Sequence, residues 1–251
     1  MCTLAFAYKQ HDRYPLIFLG NRDEFFKRPT LDAHIHDGII SGIDMEKGGT
    51  WTGISQSGRI AFLTNHRNFS LHVENPKSRG HLTKNFLEGD EAPLDYLKRI
   101  KASRRDFDPF NLVVGDLQGL YYYSNVQDKI EALTPGIYGL SNAHLDTPWL
   151  KTSALKDGLA RLITENRIRP DDLFALLESN TIAPDEALPA TGLSLELERQ
   201  LSSVFIDLPE YGTRYETVIL VTGEGRIEFY EKARQTDHTW RYQNLKIKLT
   251  K

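Results

Sequence analysis

Short apolar runs broken by Gly, Pro and charged turns occupy both ends of this chain, and helix-period segments occupy its middle. Runs of this length read as strands, while apolar residues three and four apart read as helix. Residues 3–8 and 16–20 form one antiparallel pair around a polar stretch containing Pro15. Residues 49–55 and 59–64 flank the polar turn 56–58 and form a second hairpin. The intervening 27–47, rich in His, Asp and Gly, reads as a loop with a short strand at 39–41. Leu94, Leu97 and Ile100 place a helix over 93–101, and 149–164 has an amphipathic pattern. Asp171 and Asp172 supply acid to the N-terminus of a helix at 173–177. Residues 111–114 pair with 120–124, and 136–140 follow. Strands return at 202–206, 216–221, 226–231 and 240–247. Strands at both ends with helices between them predict one α+β domain over 1–251, its helices covering sheet faces.

Composition narrows the chemistry. A net charge of −3 provides no electrostatic footprint for nucleic acid. No apolar run approaches the ~18–20 residues of a membrane helix. Residues 1–8 lack a basic leader, and Lys9, Asp12 and Arg13 cut the apolar run short, so no secretory signal is expected. A single cysteine excludes an internal disulfide and any cysteine-rich metal site, and it suits a reducing compartment. The expected location is cytoplasmic.

That cysteine is Cys2. A residue this small behind the initiator is compatible with removal of Met1, which would leave an α-amine and a thiol on one Cα. The amine, with an ordinary pKa of about 7.7–8.0, can then act as general base for its own thiol. Four polar clusters supply what acyl transfer needs: Asn21-Arg22-Asp23-Glu24 after the strand at 16–20, Thr64-Asn65-His66, Ser141-Asn142, and Thr213-Arg214. The amides of Asn65 and Asn142 suit an oxyanion hole. Asp23 can hold the amine, and Arg22 or Arg214 can lower the thiol pKa. Each cluster also has a purely structural reading, because Asn at strand ends satisfies turn backbone and Arg-Asp neighbours are commonly solvated.

The run Asn21-Arg22-Asp23-Glu24-Phe25-Phe26 followed by Arg28-Pro29 resembles the signature of the NRDE protein family, also called the transport and Golgi organization protein 2 family. Further matches are Ser41-Gly42, Gly48-Gly49-Thr50-Trp51, Leu63-Thr64-Asn65, Tyr138-Gly139-Leu140-Ser141-Asn142, Thr147-Pro148-Trp149-Leu150-Lys151 and Tyr211-Gly212-Thr213-Arg214. That family resembles the cysteine-type N-terminal nucleophile hydrolases. The resemblance implies a four-layer αββα sandwich of two antiparallel sheets covered by helices. It also implies Cys2 as nucleophile and base, Asp23 holding the amine, Asn65 and Asn142 in the oxyanion hole, and Arg214 tuning the thiol. One departure stands out: the hydrolases carry an arginine three residues before the aspartate, where this chain has Gly20. Arg22 instead adjoins Asp23, and in a continuing strand it faces away from Asn21 and Asp23.

The function implied is hydrolysis or transfer of an acyl group from a small-molecule amide or thioester, with no cofactor required. The alternative, also from the family resemblance, is haem trafficking or acyl-CoA and lipid homeostasis without catalysis. Haem carriage asks for a mostly apolar cleft. His34 with His36, and His66 with His144, are the histidines placed for such a role, although each also reads as a surface or turn residue.

Overall fold

The computed structural model describes residues 2–235 and 237–250. It is a four-layer αββα sandwich. The first sheet has six strands in the order β10-β1-β2-β11-β12-β13: Gly136–Leu140, Cys2–Tyr8, Leu16–Phe25, Tyr211–Val221, Arg226–Arg234 and Trp240–Lys248. The second has seven in sequence order: β3 Thr30–His36, β4 Ile39–Asp44, β5 Thr52–Ser55, β6 Ile60–Asn65, β7 Phe110–Gly115, β8 Leu120–Ser124 and β9 Lys129–Leu133. Every pairing is antiparallel, so the chain ends meet in one sheet and the central hairpins build the other.

The strands of β1 and β2 are apolar on both faces because each face meets a different layer. Leu4, Phe6, Tyr8, Leu16 and Phe18, with Phe229 of the same sheet, point between the sheets onto Phe62, Val113 and Tyr122. Phe62 stands 5.0 Å from Phe6 and 4.9 Å from Phe18, centroid to centroid, which locks the sheets together. Truncating such a ring to Ala costs about 3–5 kcal/mol. Ala5, Ala7, Ile17 and Leu19 point the other way, onto α3 (Leu150–Thr164) and α4 (Pro170–Leu177). On the far side, α1 (Gly80–Glu88) and α2 (Pro93–Ala102) cover Ala61, Leu63, Leu112 and Val114. The short α5, Leu195–Gln200, is capped by Ser194, whose hydroxyl accepts from Leu197 N. Gly139 lets α3 settle closely on β10, since a Cβ there would lie 2.5 Å from Thr152 Cγ2.

Three sequence expectations are corrected. β2 runs on to Phe25, so Asn21–Glu24 are strand residues, made regular by β11 on one side and β1 on the other. The segment 27–47 contains the hairpin β3–β4. Residues 202–206 form no strand: Phe205 N–H donates to Ser179 O, and Ile206 N–H is taken by Thr213 Oγ1 at 3.0 Å, leaving no ladder to join.

Candidate active site

At the start of β1 the sheets part around a cleft of about 580 Å³. Cys2, Arg22, Asp23 and Glu24 come to it from the first sheet. Asp44, Trp51, Leu63 and Asn65 come from the second, and the segment 75–80 closes one wall. Cys2 is buried and belongs to the apolar layer between the sheets, so its thiol sits at the inner end of this opening.

Register assigns the neighbours. Cys2 pairs with Arg22, and Thr3 with Asn21. Directly opposed residues share a face, so Arg22 projects beside the thiol into the cleft. There its guanidinium donates to Thr30 Oγ1 at 3.2 Å and lies 3.7 Å from Glu24 and 4.0 Å from Asp44. Asn21 and Asp23 take the opposite, helix-covered face. Asn21 Nδ2 donates to Leu177 O at 2.9 Å and Val204 O at 3.0 Å, tying the end of α4 and the 201–206 turn to β2. Asp23, buried at the strand's end, accepts from Thr213 Oγ1 at 2.8 Å. Asp23 directly follows Arg22, the register partner of Cys2. The expectation concerning Met1 lies outside the described residues.

Asn65 ends β6 and lines the cleft. Asn142 is buried behind it and uses its side-chain N–H on Asn65 O at 2.9 Å, while its own carbonyl accepts from Arg67 N at 2.7 Å. The two asparagines are thus joined across the sheets, Asn65 on the cleft and Asn142 holding it. Arg214 lies elsewhere. A bulge between Thr213 and Tyr215 turns it out of the ladder, and its guanidinium donates to Phe25 O at 3.3 Å and to Arg28 O, bracing the turn after β2. It is not among the residues lining the cleft. The cation beside the thiol is Arg22, with Arg79 on the opposite wall.

Electrostatics at the thiol run against the expectation of a cation-acidified cysteine. Burial is the largest influence and pushes Cys2 up to about 11; Asp23 and Glu24 add to it, and Arg22 only partly opposes them. The resting side chain is a thiol, so reaction needs a base at hand.

Sequence reasoning gave no role to a second layer of charge behind β2. Arg67 and Glu198 make a buried ion pair at 2.9 Å. Lys151, in the first turn of α3, is buried, donates to Leu201 O at 2.9 Å, and is lowered to about 8 by burial with Asp23 pulling the other way. Glu231 lines the inner cleft from β12, accepts from Ala33 N and Gln243 Nε2 at 2.8 Å each, and is raised to about 7 by burial. The visible signal for Glu231 is its phase in the strand, two residues beyond Phe229 and so on the face of Ile227 and Phe229. For Lys151 it is the Trp149-Leu150-Lys151 run at a helix start. The histidines pair as His34 with His36 and His66 with His144, both at 4.6 Å between centroids. No group of three or more metal-capable side chains occurs among the described residues.

Comparison with known proteins gives a consistent result. The Transport and Golgi organisation 2 family matches residues 1–236. A Transport and Golgi organization protein 2 homolog of Bos taurus is 36% identical over 93% of both chains, and that of Homo sapiens 34% over the same shares. Among solved structures, a mutant of the conjugated bile acid hydrolase from Clostridium perfringens superposes with a TM-score of 0.52 at 9% identity, covering 99% of this chain and 92% of that one. At that identity the likeness concerns the fold, which is that of an N-terminal nucleophile hydrolase.

Proposed function

The chain belongs to the Transport and Golgi organisation 2 family, and from that premise we propose that it is a cysteine acyl hydrolase or transferase of N-terminal nucleophile type, acting on a small-molecule amide or thioester. The observation that carries this reading is the burial of Cys2 in the wall of the cleft, with Arg22, Asp23 and Asn65 in the same lining.

In the chain lacking Met1, the α-amine takes the thiol proton as Sγ attacks the acyl carbon. This suits a thiol whose resting pKa is high. The oxyanion that forms is stabilised by the side-chain amide of Asn65, whose backbone carbonyl Asn142 holds from behind. The α-ammonium then gives its proton to the departing amine or thiol, leaving a thioester on Cys2. Water, deprotonated by the same amine, hydrolyses that thioester and regenerates the thiol; another nucleophile in its place makes the reaction a transfer. No cofactor enters these steps.

The fold neighbour supports the reading, since the protein it comes from is by its name a bile acid conjugate hydrolase. Carriage of haem, the other reading of the family, asks for an apolar cleft. Here Trp51 and Leu63 share the lining with Arg22, Arg28, Arg79, Asp44 and Glu231, and the charged character supports a polar acyl substrate instead. The lone cysteine, with no partner for a disulfide, supports a cytoplasmic location. The test is a panel of acyl amides and acyl thioesters offered to wild type and Cys2→Ala, with a haem titration alongside. Turnover lost in Cys2→Ala supports the hydrolase. Saturable haem binding without turnover of any substrate supports the carrier.

A further inference from the structure

Three arginines line the cleft that holds Cys2, and two of them are committed to carboxylates. Arg28 lies 2.7 Å from Asp44, 3.4 Å from Glu46 and 3.7 Å from Glu24. Arg22 donates to Thr30 Oγ1 and stands near the same Glu24 and Asp44. Lys77, on the 75–80 wall, is taken by Asp106 at 2.7 Å. Arg79 is different. It makes no ion pair among the described residues, and its guanidinium has one hydrogen bond, from Nη1 to Pro109 O at 2.9 Å. That carbonyl also accepts from His66 N at 3.0 Å, so it does not depend on Arg79. A guanidinium carries five N–H donors, and those that remain on Arg79 are not sealed in the interior. A partly buried cation without a counter-charge is held at a desolvation cost, which an anion in the cleft would offset with charge-assisted hydrogen bonds.

We propose that Arg79 is a specificity-determining residue of the Cys2 site: its guanidinium takes a carboxylate or phosphate group carried by the acyl substrate, so that the substrate class is an anionic amide or thioester. The proposal rests on the acyl-transfer reading above.

The backbone fixes Arg79 before any ligand arrives. Lys77 N–H donates to Asp106 O at 2.8 Å, and Thr50 N–H donates to Gly80 O at 3.1 Å. Gly49 and Gly80 pass so closely that a Cβ on Gly49 would lie 2.5 Å from Gly80 C. The wall is thus tied to the connection between β4 and β5 on one side and to the 106–109 loop on the other. A guanidinium held in this way presents a planar fork that matches two oxygens of one anion. Five basic and five acidic side chains line the cleft, so its overall field is close to balanced. A preference for anions must then be local, and Arg79 is the lining arginine whose charge no carboxylate of the described residues answers.

Because Cys2 is the single cysteine, thiol reagents report on this cleft alone. Three methanethiosulfonates are compared: sulfonatoethyl (anionic), methyl (neutral) and trimethylammonioethyl (cationic). In each, Sγ forms a disulfide with the transferred thio group and methanesulfinate leaves. Intact mass gives the labelling rates at fixed pH and ionic strength, for chains of the same N-terminus. Each rate is divided by that of free cysteine with the same reagent, and then by the neutral reagent's value, which cancels differences in thiolate fraction and access. Wild type is expected to favour the anionic over the cationic reagent about tenfold or more. Arg79→Met should lose that advantage and Arg79→Lys should keep most of it. Lys246→Met, which removes an exposed charge from β13, should leave it unchanged. The proposal is overturned by a wild type with no anionic advantage, or by an Arg79→Met advantage within about twofold of wild type. A fall in Lys246→Met as large as that in Arg79→Met overturns it as well. If Arg79→Met does not fold, competition on wild type decides. Excess glutarate or inorganic phosphate should occupy Arg79 and abolish the anionic advantage, and the anion effective at lower concentration names the group. An advantage that neither anion lowers, or that neutral glutaramide lowers equally, overturns the proposal. An Arg79-dependent advantage without turnover of any acyl substrate removes the hydrolase reading and leaves the anion site. Cys2-dependent turnover without such an advantage does the reverse.

Discussion

Glu231→Gln should stabilise this protein above neutral pH. Glu231 is 2% exposed, and burial raises its carboxyl from an ordinary 4.5 to about 7 although Ala33 N, Gln243 Nε2 and the charge of Arg22 favour the ionised form. A carboxyl raised in this way makes the folded state bind more protons than the unfolded state between the two values, so stability falls as pH rises through that window. Below about 4.5 both states are protonated and the cost is absent; above about 7 it is complete. At about 1.4 kcal/mol per pH unit the full cost is about 3 kcal/mol, an upper figure because water in the cleft moderates it. Glutamine keeps an oxygen to accept from Ala33 and Gln243 and carries no charge. Urea denaturation of both proteins from pH 4.5 to 8 measures the difference. The advantage of Glu231→Gln should grow across the window to about 2–3 kcal/mol. Parallel curves, or an advantage that shrinks with pH, would refute the assignment.

Other perturbations follow from the same contacts. Arg67→Met leaves Glu198 buried without its ion-pair partner and should cost about 3–5 kcal/mol in urea denaturation at pH 7. Asn21→Ala strips the donors from Leu177 O and Val204 O, both inside the helix-covered face; about 1–3 kcal/mol of stability should be lost for each carbonyl left unpaired. Asn65→Ala should leave the melting temperature within a few degrees of wild type but lower turnover of any Cys2-dependent substrate about 100-fold or more, the effect of removing an oxyanion donor.

What the sequence revealed and concealed divides on physical lines. β1, β2 and β11 were legible because continuous apolar runs are what strands buried on both faces require. β3 was not: its apolar Leu31 and Ile35 are about half exposed at a sheet edge, and the alternation has no core to signal. α1 begins at Gly80 with a polar turn, and its apolar residues Leu82, Phe86 and Leu87 are too few to announce a helix before β6 and β5 are in place. Cys2 and Asn65 could be proposed together because each stands at a strand end, where side chains meet an opening; Asp23 joined them because the apolar run stops at Gly20, although β2 continues to Phe25. Arg214 shows the limit, since the bulge that turns it toward Phe25 and Arg28 leaves no mark in the sequence. Lys151 and Glu231 look like ordinary solvated charges until α3 and β12 are packed. Their burial is a tertiary property.

The claim at the centre of this account is that the chemistry belongs to Cys2 as an N-terminal residue. Two forms of the chain decide it: one beginning at Cys2, its mass confirmed intact, and one with Met1 retained by an N-terminal block. Both are assayed on one panel of acyl amides and acyl thioesters. Turnover is expected only from the chain that begins at Cys2, with a transient mass increase equal to the acyl group on that residue. Equal turnover by the chain that keeps Met1, or turnover that survives Cys2→Ala, would contradict it.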